Sequence, residues 1–508
     1  MVLLAAVVAA SAEVAATRSR NAKVAAIAGL LSRLDPAEVR PATALLAGEL
    51  PGGRAGVGWS TLSTVEAPAA AEPALTVLDT DAAIGELRGI SGSGSGRRRA
   101  AALAALLGRA TADEQHFLIR LLGGELRQGA LEGVMLEAVA AAAEVPAADV
   151  RRAFMLSGQL PETAAAALTG GSAALAAFRL EVGRPLRPML ASPAGTLAEA
   201  LGELGACSVE HKLDGARIQV HRNGDEVHVY TRTLREITRQ VPELVALVRE
   251  LPCSATVLDG ETLALTDSGR PRPFQETMAR FGAQSPRDEV LQPYFFDCLH
   301  LDGADLVDEP LRDRLAALDR VAAGHRIPAR RTSDEAEAAE LLDSALDAGH
   351  EGVVVKALDA PYAAGRRGRT WRKIKPSHTL DLVVLAAEWG HGRRSGLLSN
   401  LHLGARDPDG GPPIMVGKTF KGLTDELLAW QTAEFPRHET HRDAHAVHLA
   451  PELVVEIELD GVQTSTRYPG GVALRFARVV RYRPDKDAAS ADTIDDVRTV
   501  LGSGPRGG

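Results

Sequence analysis

Glu210-His211-Lys212-Leu213-Asp214-Gly215-Ala216-Arg217 is the stretch on which the reading of this chain turns. Lys212 follows a strand-like run, and Asp214-Gly215 closes a turn behind it. A lysine amine is a poor nucleophile while protonated. Partial burial or a neighbouring cation lowers its pKa and frees the lone pair. Arg217, five residues on, can supply positive charge or bind phosphate. Taken alone, Lys-x-Asp-Gly also describes an ordinary solvated loop, so the rest of the chain must decide.

Downstream residues supply complementary chemistry. Asp259-Gly260-Glu261 and Glu351-Gly352 put carboxylates beside expected strands. Carboxylate oxygens suit Mg²⁺, which takes one or two of them together with substrate phosphate oxygens. In Trp371-Arg372-Lys373-Ile374-Lys375 the two lysines alternate, so on a strand they share a face. Two cations there can offset the charge of a transferring phosphate. Phe296, in Tyr294-Phe295-Phe296, can stack on a base. Each signal has a plain alternative: a turn acid, a solvated edge strand, a core aromatic.

The texture of the chain divides it into three parts. Residues 1–178 are rich in Ala and Leu, with apolar residues three and four apart, as in Phe117, Leu118, Leu121, Leu122 and Leu126. That spacing predicts an all-α domain. Within it, Ser91-Gly92-Ser93-Gly94-Ser95-Gly96, leading into the basic run Arg97-Arg98-Arg99, reads equally as a flexible surface loop and as a mobile basic loop near phosphates, and the two are compatible. After Arg184-Pro185 strand-like alternation begins, and Asn223-Gly224 between two such runs predicts a hairpin. Short strands around residues 256–258, 294–296 and 353–355, with helices near 309–321 and 333–348, predict an α+β domain over 184–377. Residues 379–495 are mostly β, and about 100 residues of short strands suit a β-barrel such as an OB-fold. The Gly-rich end, 496–508, reads as a disordered tail.

Composition narrows the class. Apolar residues make up 45% and charged residues 24%, as in a globular protein rather than a disordered one. The net charge of −9 argues against a surface coated in nucleic acid, so any DNA contact must come from local clusters. Such clusters are 97–99, 366–369 and 475–486. Cys207, Cys253 and Cys298 are far apart and form no CxxC pair, which points to neither a disulfide framework nor a zinc site. A reducing cytoplasm is the expected setting. The apolar run Val2–Ala10 lacks a basic flank and passes into Glu13 and Arg18, so an amphipathic helix is expected there rather than a secretion signal or membrane span.

Together, in order and spacing, these motifs resemble those of the covalent nucleotidyltransferases, and within them the ATP-dependent DNA ligases. Lys212-Leu-Asp214-Gly215-Ala-Arg217 is similar to that family's first motif. Asp259-Gly260-Glu261, Phe296-Asp297, Glu351-Gly352-Val-Val-Val-Lys356 and Trp371-Arg-Lys373-Ile-Lys375 resemble those that follow. Arg475-Phe476 through Arg483-Pro484-Asp485-Lys486 resembles the last, RxDK. Phe117-Leu118-Ile119-Arg120 through Gln128-Gly129 is similar to a segment of the ligase DNA-binding domain, so the likeness spans about residues 10–490.

The resemblance implies a role for each position. Lys212 carries AMP; Glu210 meets the adenine amino group, Glu261 the ribose, and Phe296 stacks on adenine. Arg217 and Arg232 bind ribose or phosphate, including the 5′-phosphate of a nick. Arg367, Lys373 and Lys375 hold the α-phosphate, and Asp214, Glu261 and Glu351 are candidates for Mg²⁺. Arg483, Asp485 and Lys486 orient the pyrophosphate leaving group when the last domain closes. ATP and Mg²⁺ are the implied cofactors and nicked duplex DNA the implied partner, for a bacterial, cytoplasmic monomer.

Two positions depart from the pattern. Ala477 stands where proline is common and is expected to leave the strand intact, and Arg372 stands where an apolar residue is usual and is expected to face solvent. His438, His441, His445 and His448 have a spacing that on a helix would share a face, but a solvated segment is the better reading. An NAD-dependent ligase would bring a four-cysteine zinc module that three isolated cysteines cannot build. The remaining rivals are an RNA ligase or mRNA capping-type enzyme, which lacks the helical N-terminal domain, and an inactive nick-binding scaffold. If the helical domain grips DNA by its phosphates, affinity should fall steeply between about 50 and 200 mM salt. A flat response in a binding titration would count against that interface.

Overall fold

The computed structural model describes residues 1–50, 53, 55–126, 132–266, 270–272, 291–363 and 367–503; of Arg367, Arg393 and residues 501–503 it describes the backbone alone. The first part is helical, as its periodicity demands. Its helices are α1 (Leu4–Ala16), α2 (Arg20–Leu31), α3 (Pro36–Ala47), α4 (Trp59–Thr64), α5 (Val77–Gly89), α6 (Ser95–Gly108), α7 (Ala112–Leu122), α8 (Glu132–Ala143), α9 (Ala147–Ser157) and α10 (Leu160–Ala176). Local chemistry sets their ends. Thr111 and Glu114 cap α7 reciprocally: the Glu114 N–H donates to Thr111 Oγ1, and the Thr111 N–H to Glu114 Oε2. The spaced apolar residues Leu4, Ile27, Leu45, Ile84, Leu103, Leu118 and Val139 meet in one buried core.

The serine–glycine run is shorter as a loop than its composition predicts. Gly92 and Gly94 take positive φ, and α6 starts at Ser95, so Arg97, Arg98 and Arg99 ride on a helix. Arg98 and Arg99 reach back to the Ser91 and Ile90 carbonyls and hold the turn closed.

Two sheets build the middle part. One has the order β1 (Leu190–Pro193), β10 (Arg367–Ile374), β9 (Gly352–Ala357), β2 (Cys207–Lys212) and β8 (Ala329–Thr332). The other runs β4 (Glu226–Thr231), β3 (Ala216–Asn223), β5 (Ala255–Ala264), β6 (Leu291–Leu301) and β7 (Ala304–Asp305). The β3–β4 hairpin turns at Asn223-Gly224 as expected, with Gly224 at φ 59°. Helices α11 (Leu197–Leu204) and α14 (Glu335–Asp347) pack on the first sheet, and α12 (Pro242–Arg249) and α13 (Leu311–Ala322) on the second. The helical part docks against this body through α9. Arg152 forms a two-pronged bond with Asp308 (2.8 and 2.7 Å), and Met155 and Leu156 enter a buried cluster with Leu186, Leu213, Val307 and Trp371.

The last part is mostly β. Strand β11 (His378–Trp389) is its spine. Along one edge it pairs with β12 (Leu398–Ala405), which continues to β13 (Ile414–Thr419). Along the other, its first half pairs with β16 (Val454–Leu459) and its second with β15 (Ala446–Leu449), so the sheet bends sharply. Strands β14 (Glu439–Arg442) and β19 (Arg478–Tyr482) extend it, and β17 (Gly461–Thr464) pairs with β18 (Val472–Arg475). Helix α15 is Asp425–Glu434.

Three expectations are corrected here. The tail is ordered as helix α16 (Ile494–Ser503), because Ile494 and Val497 bury themselves in the C-terminal core; 504–508 lie outside the described residues. Ala477 lies in the break between β18 and β19, not within a strand. Arg372 is turned from solvent and pairs with Glu199 (3.3 Å) and Glu203 (3.2 Å), two acids on α11 that face it at the sheet edge. The histidines lie on a short 3₁₀ turn and on β14–β15. There His441 and His448 stack at 4.2 Å, and His438 pairs with Glu434 and Glu452. Among the described residues no group of three or more His, Cys, Asp or Glu is arranged to hold a metal ion, and no helix is long and apolar enough to cross a membrane.

Arg314 and Asp297 form a fully buried two-pronged pair (2.7 and 3.1 Å) joining α13 to β6. Removing one partner strands the other charge. Arg314→Leu should therefore lower unfolding free energy by about 3–5 kcal/mol, read by urea titration. A loss under about 1 kcal/mol would mean that Asp297 is otherwise compensated.

Candidate active site

The two sheets of the middle part face each other across a cleft of about 930 Å³. Backbone geometry explains its motifs. A Cβ on Gly215 would lie 2.5 Å from the Thr262 carbonyl oxygen, and one on Gly352 would lie 2.2 Å from that of Ile374. Only glycine lets the chain entering β3 and β9 reach these neighbours, and each glycine leaves a carboxylate, Asp214 or Glu351, at the cleft edge. Lys212 ends β2 directly opposite Gly352. Its Nζ donates to Glu351 Oε2, and its carbonyl accepts from the Glu351 N–H at 2.9 Å.

Glu351 is shared. Lys375 Nζ lies 2.8 Å from the same oxygen. Burial pushes the Glu351 carboxyl up, but Lys212 and Lys375 outweigh it and hold it well below the usual carboxylate range. Glu261 behaves oppositely. Burial raises it to about 7 against the pull of Arg217 and Lys212.

Arg217 is turned away from Lys212. Its Nε and Nη2 grip Asp259 (3.0 and 2.6 Å), and its Nη1 donates to the Met189 carbonyl at 2.6 Å. The Tyr362 hydroxyl completes this knot by donating to Asp259 Oδ2 at 2.6 Å. Four of five guanidinium N–H groups are thereby placed, counting a 3.4 Å approach to Tyr362, so Arg217 keeps at most one bond for a ligand. The positive charge expected from it beside Lys212 is instead neutralised by Asp259.

At the other end Lys356 Nζ lies 2.5 Å from Glu210 Oε2, both almost wholly buried. That ammonium sits over the rings of Phe296 (4.3 Å) and Trp371 (4.1 Å), so one face of Phe296 is already used. Ser208 Oγ steadies Glu210 from behind, at 3.0 Å from Oε1. The C-terminal part closes the cleft mouth. Arg475 Nη1 lies 3.1 Å from Asp214, and Asp460 lies 3.2 Å from Lys375. Phe476 follows at φ 55°, unusual for a bulky residue, and stays 60% exposed with Lys421 over its ring.

The cleft thus gathers Glu210, Lys212, Asp214, Arg217, Arg232, Glu261, Phe296, Glu351, Lys373 and Lys375. It does not include Arg483, Asp485 or Lys486. The side chain of Arg367 lies outside the described residues. Lys356, Trp371, Arg475 and Phe476 stood inside quoted motifs without an assigned part; Tyr362 stood in none. Their parts come from pairings across strands and domains, and spacing along the chain carries no signal for these.

Comparison with known proteins identifies the family. Residues 60–140 match the family model for the DNA ligase N terminus, 188–375 the ATP dependent DNA ligase domain, and 394–486 the ATP dependent DNA ligase C terminal region. The chain is 78% identical over 502 residues to a "Probable DNA ligase" of Saccharopolyspora erythraea, covering 99% of this chain and 98% of that one. It is 69% identical to a "Probable DNA ligase" of Rhodococcus jostii, covering 97% and 99%. Among solved structures, Pmar-Lig_Pre shares the fold at a TM-score of 0.60 and 19% identity, covering 94% of this chain and 99% of that one. The chain belongs to the ATP-dependent DNA ligases.

Proposed function

We propose that this ligase seals nicks in duplex DNA through AMP carried on Lys212. The observation that carries the reading is the placement of Lys212 Nζ. It lines one cleft together with a buried acceptor–donor pair, Glu210 and Lys356, and a cation group, Lys373 and Lys375. The pair complements the amino donor and ring-nitrogen acceptor of adenine, and the cations suit the α-phosphate.

In the first step the Lys212 nitrogen bonds to the α-phosphorus of ATP, the bond to pyrophosphate breaks and the amine proton is lost to water, while Glu351, in contact with Nζ, orients the amine. The 5′-phosphate of the nick then displaces lysine, forming a DNA adenylate. The 3′-hydroxyl finally attacks that phosphate, joining the strands and releasing AMP. Arg232, exposed at the cleft mouth, suits the 5′-phosphate better than Arg217, which has one bond to spare and fits a single hydroxyl.

Mg²⁺ fits this site as an ion brought with the nucleotide. Asp214, Glu261 and Glu351 line one cleft, but Asp214 and Glu351 are paired with cations, and no preformed cage exists among the described residues. Held by one or two of these acids plus phosphate oxygens, the ion would offset charge at phosphorus. The bent C-terminal sheet supports the OB-fold reading, with Phe476 offered to a base or sugar of DNA. A monomer in a bacterial cytoplasm remains the setting inferred for it.

Incubation with α-labelled ATP tests the reading. Label should appear on the protein, vanish in Lys212→Ala, and pass to a nicked duplex. Labelled protein that cannot join that duplex would favour an RNA-directed enzyme; no label at all would favour the inactive scaffold.

Glu261 makes a second prediction. Its folded value, about 7, lies above its ordinary 4.5. Folding therefore favours the neutral acid, and stability is lost as pH rises from about 4.5 to about 7. Glu261→Gln cannot ionise, so its stability relative to wild type should rise across that window, by about 3 kcal/mol at most. Urea unfolding at about pH 5 and about pH 8 checks this, and a constant difference would refute it.

A further inference from the structure

Arg483, Asp485 and Lys486 lie in the turn that follows β19, outside regular structure and outside the cleft. Side chains in such a turn have no inherent reason to point together. Here both cations converge on one carboxylate from a distant strand, Asp381 of β11. Arg483 Nη1 donates to both Asp381 oxygens (3.1 and 3.0 Å), and Lys486 Nζ donates to Oδ2 at 2.6 Å. Asp381 is 8% exposed. Asp485 takes the other edge of the guanidinium, Nε at 2.9 Å and Nη2 at 2.7 Å. Glu456 stands 3.5 Å from Arg483 and is itself held by Arg481 at 2.8 Å.

We propose that Asp381 is a positioning residue for the adenylylation step, holding Arg483 and Lys486 side by side as one receptor for the leaving pyrophosphate. This rests on the reading of adenylylation given above. Two like charges this close repel, and the shared carboxylate between them makes the arrangement stable. The anchor is rigid, because β11 is the spine on which β12, β15 and β16 all pair. Asp381 and both cations belong to one domain, so the grouping travels intact when that domain moves. Both cations keep N–H groups for a ligand: Lys486 donates one of three to Asp381. The backbone of Asp381 is tied separately, its N–H donating to Asp492 Oδ2 (2.7 Å) and its carbonyl accepting from the Asp492 N–H (2.8 Å). A side-chain change therefore leaves the strand in place.

The experiment separates the chemical steps. Wild type, Asp381→Asn and Asp381→Glu are each assayed for label transfer from α-labelled ATP. They are then assayed, without ATP, for sealing a duplex whose nick already carries AMP. Adenylylation by Asp381→Asn should fall about ten-fold or more at limiting ATP, with sealing of the adenylated nick retained. Asp381→Glu should recover part of the loss. Equal losses in both steps, or none in either, would overturn the proposal. If Asp381→Asn fails to show a cooperative melt, the ratio of the two rates in Asp381→Glu decides: lowered supports the proposal, unchanged overturns it. Absence of label on wild type would instead sink the adenylylation reading itself, whatever the variants do.

Discussion

The site depends on the antiparallel pairing of β2 with β9. It sets Lys212 against Gly352 and therefore beside Glu351. Everything else follows from how closely that corner packs. Gly352 sits where a side chain would strike the Ile374 carbonyl, so β10 can press against β9 and bring Lys375 to the same carboxylate. The same register puts Ser208 opposite Lys356 and Glu210 opposite Val354, which places Glu210 diagonally from Lys356 on one face. One strand pair thus carries Lys212, the proposed nucleophile, at its end and the Glu210–Lys356 pair two residues in.

Buried charge is the cost of this arrangement, and the fold meets it by pairing. Arg314 with Asp297, Arg217 with Asp259, and Lys356 with Glu210 are all largely hidden from water. Such pairs add little net stability, but breaking one is expensive. They are better understood as fixing orientation. Arg217 shows the consequence: a guanidinium held by Asp259, Met189 and Tyr362 cannot swing toward Lys212, so it is a fixed wall with one donor to spare.

What could be read from sequence was whatever a short stretch decides. Asn223-Gly224 announces its hairpin because a two-residue turn needs residues tolerant of positive φ, and Lys212, Glu351 and Lys375 sit at or beside strand ends that local composition marks, whereas Asp259 and Glu261 lie within β5. The helical periodicity of the first part worked for the same reason. Failures came where a distant partner overrides local composition. Ser91–Gly96 reads as a loop, yet Gly94 serves as the turn into α6. The Gly-rich end reads as a tail, yet Ile494 and Val497 find a core. Arg372 reads as solvent-facing, yet two acids wait for it at the sheet edge.

The C-terminal domain carries two separate sets of cations, and this constrains how the enzyme can work. Arg475 and Lys421 face the cleft, whereas Arg483 and Lys486 are turned to Asp381. In this arrangement Asp214 is neutralised by Arg475, and Lys375 is shared with Asp460. On the proposed reading, a nucleoside triphosphate would use Lys375 for its own phosphates, and a metal ion arriving with it would use acids such as Asp214 once uncovered. The face now docked therefore competes with ATP for the same groups. On that reading, a single rigid placement of the domain would not serve both ATP and DNA. Two interdomain ion pairs of partly exposed side chains are weak enough to exchange, each worth on the order of 1 kcal/mol. That is the strength expected of a contact made and released in every catalytic cycle rather than of one that holds the fold together.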